Sequence, residues 1–458
     1  MTFFIEQLIA RAWNQLKAGP SHPVRYGMNL GHIVAESRVT DRITGISDEK
    51  RAEHVAVLGK TGTGKSSLLR HMAAQDIRRS LGFCFFDLHG DATSAILRLV
   101  AQEEQYRNQD LSDRLIVIEP ADTEYSVGLN VLEQRNTQQS FVLIAEFAQI
   151  LKQRWRLDTF GARTEELLRN ALHMLSDNNL TLLELAPLLT NYAFRSSCLR
   201  RTVSPDVKDY FQSRYDRATE AMQTVFRDAI LNKVSTFTAD LHFRHILGQP
   251  RSTFSLLEAI DRGLWIILNL DKGRLGEQAT TLGSLFLTKL KNALFARHNR
   301  RLFTLYCDEI QNLVTIDSGL DTLISEARKF GISLVTANQF LDQYPAHMRS
   351  AILAVASHVF FQLSSTDADK IASALDGGRS LAELLKNLPK RQMVVKIGHH
   401  RWLRAEVPLI EHPRGEYTDL YNRCRQRWAK RRADLEEEIR QRHAAFTRTT
   451  KEVLHDWE

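Results

Sequence analysis

Nine consecutive residues have the types and order needed to hold a phosphate ester. Gly59, Lys60, Thr61, Gly62, Thr63, Gly64, Lys65, Ser66 and Ser67 follow a short apolar run, His54–Leu58. They open a stretch of helical apolar spacing that reaches about Arg79. The spacing G-x-x-x-x-G-K-[ST] is that of a phosphate-binding loop. Glycine permits torsions that a Cβ forbids, so successive N–H groups can point at one anion. Lys65 would bring a point charge to the β- and γ-phosphates, and the Ser66 hydroxyl would ligate Mg²⁺. A helix starting here adds its dipole and its unpaired N–H groups. The bland alternative is a flexible glycine-rich turn. A strand before the loop and a helix after it argue against that.

A second stretch supplies what hydrolysis would need. RLFTLYCDEIQNL, Arg301–Leu313, is an apolar strand ending in Asp308-Glu309. Asp308 would hold Mg²⁺ through water, and Glu309 would orient or deprotonate the attacking water. SEARKFGISLVTANQF then places a basic helix end before another strand, Ile332–Thr336. Gln339 follows that strand, where an amide can contact a γ-phosphate and sense its loss. Its alternative role is a cap or turn residue.

These residues need a scaffold, and the chain alternates strand and helix around them. GFCFFDLHGD (Gly82–Asp91), RLIVIEP (Arg114–Pro120) and LWIILNL (Leu264–Leu270) are apolar strands. A long helix from about Thr280 to Arg297 precedes the Asp308 strand, and SHVFFQL and RQMVVKIG add two more strands. This rhythm predicts an α/β fold with a mainly parallel sheet and helical crossovers. Ligands sit at the carboxyl ends of such strands, which puts Asp87, His89 and Asp91 near the nucleotide. Turn formation and helix capping explain those three equally well.

Five regions follow from the pattern. Residues 1–50 are a lead-in that begins with an amphipathic helix. Residues 51–137 and 250–410 are two parts of the nucleotide-binding core. Residues 138–249 are an all-helical insertion, with a capping box at Thr181 and Glu184 and a helix start at Ser204-Pro205. Residues 411–458 are a charged helical tail. There Arg423, Arg425, Arg427, Lys430, Arg431 and Arg432 cluster around Trp428. Such a run reads as a solvated face, with phosphate contact or partner docking as the alternative.

Bulk properties narrow the class. The chain has 458 residues, 25% of them charged, and a formal net charge of +7. That balance favours an acidic partner weakly, because acids are plentiful too. Cys84, Cys198, Cys307 and Cys424 form no C-x-x-C pair. Buried thiols in a reducing cytosol fit them better than zinc or disulfides. No run is long enough to span a bilayer. The N-terminal MTFFIEQLIARAWNQLK is apolar on one side. It suits packing on its own domain or a partner, or an interfacial anchor.

In order, GKTGTGKSSLL, FFDLHGDA, GLNVL, ILNLDKGRLGE, LYCDEIQN, SEARKFGISLVTANQ and FFQLSSTDA resemble the HerA/FtsK-like branch of RecA-type ATPases. Within it they are most similar to the coupling-protein ATPases of type IV secretion and conjugation. The resemblance spans roughly residues 25–410. It implies a RecA-like P-loop core, a hexameric ring and ATP with Mg²⁺ between subunits. It implies DNA, single- or double-stranded, in a central pore. Carried onto this chain, Lys65 and Ser66 bind phosphate and Mg²⁺, Asp308 and Glu309 carry hydrolysis, and Gln339 senses γ-phosphate. Arg328 matches the position of an arginine finger for the neighbouring site, with Lys272, Arg274 and Lys329 as alternatives.

Coupling proteins anchored in membranes carry N-terminal transmembrane helices, and this sequence shows none. The expectation is a cytoplasmic protein that a partner recruits to the inner membrane. That partner would be a relaxase, a secretion-channel component or a membrane anchor. The expected activity is ATP-driven DNA translocation for conjugative transfer. The alternatives are a HerA-like translocase in repair or phage defence, and a secretion or assembly ATPase that does not grip DNA.

Overall fold

Strands buried on both faces are predominantly apolar, and such strands build the middle of this protein. The computed structural model describes residues 27–133, 137–154, 161–313, 320–344, 346–408 and 415–455. The N-terminal helical segment expected above lies outside them. In chain order the strands are β1 (Gly27–Ala35), β2 (Arg38–Ser47), β3 (Val55–Leu58), β4 (Gly82–Asp87) and β5 (Leu115–Ile118). They continue with β6 (Tyr125–Ser126), β7 (Trp265–Asn269), β8 (Phe303–Asp308), β9 (Ile332–Asn338) and β10 (Ser357–Phe360). The last are β11 (Gln392–Ile397), β12 (Leu403–Glu406) and β13 (Lys430–Arg431).

Eleven of these form one sheet in the order β2-β1-β12-β11-β10-β3-β9-β8-β4-β7-β5. From β10 to β5 every pairing is parallel. From β10 outward to β2 every pairing is antiparallel. The expected parallel core is therefore present, with an antiparallel wing on one edge. Half of that wing comes from residues 27–47, which the sequence pattern left as a lead-in.

The period of two along each strand divides the core. Ala56, Leu58, Cys84, Phe86, Ile266 and Leu305 face one cluster, which runs on into the helices between β6 and β7. Val55, Val57, Phe83, Phe85, Ile267 and Tyr306 face the other, under helices Lys65–Arg78 and Asp91–Arg107. No described residue between β6 and β7 adds a strand to the sheet. Helices Ala162–Asp177, Tyr192–Arg201 and Glu220–Thr238 occupy that interval. Thr181 and Glu184 cap each other as a box there, and Ser204 caps a short helix with Pro205 in its first turn. All four cysteines are buried.

The tail departs from the single charged helix expected. It forms helix Thr418–Trp428, then β13 paired antiparallel with β6, then helix Arg432–His455. Its cations divide: Arg427, Lys430 and Arg431 are exposed, as a solvated face would have them, while Arg423, Arg425 and Arg432 are drawn onto the chain itself. Arg423 bonds Glu104 and lies 3.4 Å from Asp110. Arg425 bonds Asp122 at 2.8 Å and Glu124 at 3.0 Å, and Arg432 donates to the Pro120 carbonyl at 2.6 Å. Farther on, Arg442 bonds the buried Glu184 carboxylate at 2.9 Å. The tail thus binds its own chain.

One buried ion pair fixes the phosphate-loop helix on the sheet. Arg51 and Asp76 are both fully buried. Two parallel bonds join them, 2.9 and 2.7 Å long, and Arg51 also donates to Thr304 Oγ1 at 2.8 Å. The Tyr306 hydroxyl donates to Asp76 at 2.7 Å. Removing one partner strands a charge in the core. Asp76→Ala is expected to cost about 3–5 kcal/mol, read as a lower urea midpoint. Arg51→Met combined with Asp76→Leu should cost far less. Equal losses in both proteins would show that packing volume, not charge pairing, governs this position.

Candidate functional site

The loop leaves β3 at Leu58, in the centre of the sheet. Its backbone is held by three neighbours. Gly59 N donates to Asn338 O (3.1 Å), Lys60 N to Gln362 O (2.8 Å), and Arg391 N to Thr63 O (2.7 Å). A Cβ at Gly59 would lie 2.5 Å from Phe361 Cβ, and Gly64 has φ +127°. Neither position tolerates a side chain without movement. Helix Lys65–Arg78 begins at once, so Lys65, Ser66 and Ser67 stand in its first turn.

Lys65 turns back over the loop, donating to Gly59 O at 2.5 Å and Lys60 O at 3.0 Å. Burial lowers its pKa, and the Asp308 and Glu309 carboxylates oppose that. The Ser66 hydroxyl donates to Asp308 Oδ2 at 3.0 Å. A hydroxyl and a carboxylate oxygen brought this close are the hard ligands that Mg²⁺ takes beside a phosphate. Burial raises the Asp308 pKa; the Ser66 hydrogen bond and the Lys65 charge hold it down.

Glu309 breaks the strand in a left-handed turn, φ 56° and ψ 49°. Its N–H donates to Ala337 O at 2.8 Å, and the turn swings the carboxylate out of line with β8. Gln339 Nε2 donates to Glu309 Oε1 at 2.7 Å, while Gln339 Oε1 accepts from Thr61 Oγ1 at 2.9 Å. One amide therefore bridges the phosphate loop to Glu309. Asn312 Nδ2 donates to Glu309 Oε2 at 3.1 Å, and His89 Nε2 lies 3.5 Å from the same oxygen. His89 first, then Gln339 and Asn312, lower the Glu309 pKa to about 2; Glu309 first, then the Asp308 and Asp87 charges, raise that of His89 to about 9. A cleft of about 340 Å³ beside these groups is lined by Ser66, Arg70, Asp87, His89, Arg98 and Asp308.

A family model, the type IV secretion-system coupling protein DNA-binding domain, matches residues 42–392. The chain belongs to that family. No curated protein matches it. Among solved structures it is similar to plasmid coupling protein TrwB in complex with ADP and Mg²⁺. That likeness has 18% identity and TM-score 0.57, covering 84% of this chain and 96% of the other. TrwB in complex with a non-hydrolysable ATP analogue is 18% identical, TM-score 0.59, covering 87% and 98%. VirB4 of Thermoanaerobacter pseudethanolicus is 14% identical, TM-score 0.56, covering 86% and 98%. At these identities the likeness establishes a shared fold, the RecA-like ATPase fold of coupling proteins. Among the described residues, no helix is long and apolar enough to cross a membrane.

Against this coupling-protein frame the residues singled out in the sequence separate into two groups. Lys65, Ser66, Asp308, Glu309 and Gln339 converge on one sheet edge. Arg328 stands apart, in the short helix Ala327–Phe330 before β9, paired with Glu53 at 2.9 Å and largely exposed. The seven residues of β9 separate that end of the sheet from Gln339, roughly 20 Å at strand rise. Lys272 follows β7 at the same carboxyl end of the sheet as Asp308, where its side chain pairs with Glu277 at 3.2 Å. Asp87 is a turn and cap residue: it accepts from His89 N, Gly90 N, Thr93 N and Thr93 Oγ1. Sequence reasoning missed the Thr61–Gln339 bridge and the Arg391 brace. Thr61 sat inside the motif as an unspecified position, and nothing local marks Arg391.

The His89–Glu309 pair makes a checkable prediction. The His89 imidazole in labelled protein should titrate by NMR near pH 9, and Glu309→Gln should return it toward the ordinary histidine value of 6.5. A midpoint near 6.5 in the unsubstituted protein would break the pairing.

Proposed function

We propose that this chain is an ATP-hydrolysing coupling-protein motor that moves DNA in type IV secretion. ATP with Mg²⁺ would bind at Gly59–Ser67, with Ser66 and Asp308 holding the metal and Lys65 the β- and γ-phosphates. Glu309 would orient or deprotonate the attacking water. Gln339 would sense the γ-phosphate and pass its presence to Glu309. The observation that carries this reading is the amide bridge from Thr61 through Gln339 to Glu309 beside the Ser66–Asp308 contact. It links the loop that binds phosphate to the group that would activate water. The nucleotide-bound TrwB structures support the choice of ligand, and the DNA-binding family model supports the choice of substrate.

ATP turnover by the full chain should rise with added DNA and vanish in Lys65→Ala and Glu309→Gln. Turnover that ignores both single- and double-stranded DNA would favour a secretion ATPase that does not grip DNA.

The exposed guanidinium of Arg328 lies at the sheet edge remote from its own loop. That supports a role in completing a neighbour's site in a homo-oligomeric ring, for which we take six subunits as the working stoichiometry. Charge developing on the transferred phosphoryl group needs a cation, and here it would come from the next chain. Arg328→Ala and Glu309→Gln chains, each inactive alone, should regain part of the turnover when mixed. No recovery in well-mixed rings would remove Arg328 from that role.

A further inference from the structure

The His89 side chain takes no part in building the turn that carries it. Asp87 supplies the turn's acceptors, binding the N–H groups of His89, Gly90 and Thr93 and the Thr93 hydroxyl. Gly90, with φ +78°, packs on the Asp271 side chain and starts helix Asp91–Arg107. The backbone is therefore fixed without the imidazole. That ring extends over the cleft beside Ser66 and Asp308 and comes within 3.5 Å of Glu309 Oε2.

Glu309 needs such a neighbour. Its strained backbone sets where the side chain starts, and Gln339 holds one carboxylate oxygen at 2.7 Å. The other oxygen has Asn312 behind it, from its own turn, and His89 from the opposite wall. Asn312 moves with Glu309. His89, on a separate strand's loop, gives that oxygen an external reference. We propose that His89 is a positioning residue for hydrolysis, its imidazole setting the orientation of the Glu309 carboxylate toward the attacking water. The inference rests on the hydrolytic reading above.

A small misplacement of a base costs rate rather than substrate affinity. In the full chain with DNA, His89→Ala is expected to lower kcat by about tenfold or more. KM for ATP should change by less than about twofold. His89→Gln, which keeps an N–H donor at similar reach, should recover most of the lost rate. Glu309→Gln is measured beside them. Unchanged kcat in His89→Ala with an inactive Glu309→Gln overturns the inference and leaves the hydrolytic reading in place. Loss of kcat together with a raised KM, with no recovery in His89→Gln, also overturns it, because general damage to the turn has that pattern. A fully active Glu309→Gln overturns the hydrolytic reading, and the inference with it.

Discussion

The site exists because one helix and one strand are pinned together at two points. Helix Lys65–Arg78 carries Ser66 in its first turn and Asp76 in its last. Strand β8 carries Thr304, Tyr306 and Asp308 at alternate positions, hence on one face. Asp308 meets Ser66, while Thr304 and Tyr306 meet the Arg51–Asp76 pair. The two attachments, Ser66 to Asp308 at one end of the helix and Asp76 to Tyr306 at the other, fix the register of helix on strand. A buried ion pair adds little net stability over an apolar substitute. Its use here is positional: it makes a shift of the helix along β8 expensive, because the shift would leave a charge unpaired. The contact between Ser66 and Asp308, 242 residues apart in sequence, depends on that registration.

Strand β9 turns the resulting Ser66–Asp308 geometry into a linked system. It lies between β3, which feeds the phosphate loop, and β8, which ends in the acids. Its last residues bond to both: Asn338 O accepts from Gly59 N and Ala337 O from Glu309 N. Gln339 therefore leaves the sheet from a fixed point between the loop and Glu309. Its amide can donate on one side and accept on the other, and it does both. A carboxylate at this position could accept from Thr61 but could not donate to an ionised Glu309. Displacing Thr61 must disturb the bond to Glu309, since one planar amide makes both contacts.

How much of this was legible depended on whether the signal was local. The phosphate loop was readable because its glycines, lysine and serine must be consecutive. Strands β3, β4, β7, β8 and β9 were readable because parallel strands buried on both faces are predominantly apolar. Strands β1 and β2 were not. They lie on the antiparallel wing, half exposed, with Gly31 against the Glu406 backbone and polar residues at many positions. The nucleotide edge was legible for Asp308 and Glu309, which end an apolar run. His89 and Asp87 could not be told apart by type, since both are polar residues in one turn. Only the fold shows that the aspartate closes the turn while the histidine reaches across to another strand.

The tail shows the same limit in its charges. Read alone, Arg423 to Arg432 is a polycation with the composition of a phosphate-binding patch. The counter-charges of Arg423 and Arg425, namely Glu104, Asp110, Asp122 and Glu124, lie some three hundred positions earlier, in the last turn of helix Asp91–Arg107 and the loops around β5. No window of sequence contains both. The fold also shows what the pairing achieves. Arg98, in the wall of the cleft beside Ser66 and Asp308, donates to Gly415 O at 2.6 Å and lies over the Tyr417 ring. From there the tail runs past β5 and β6 to the helices between β6 and β7, where Arg442 holds Glu184. Arg423, Arg425 and Arg432 thus fasten a strap from the cleft to the helical region, while Arg427, Lys430 and Arg431 stay exposed. Net basicity in such a segment is evidence about a nucleic-acid partner only after the chain's own acids have been matched to it.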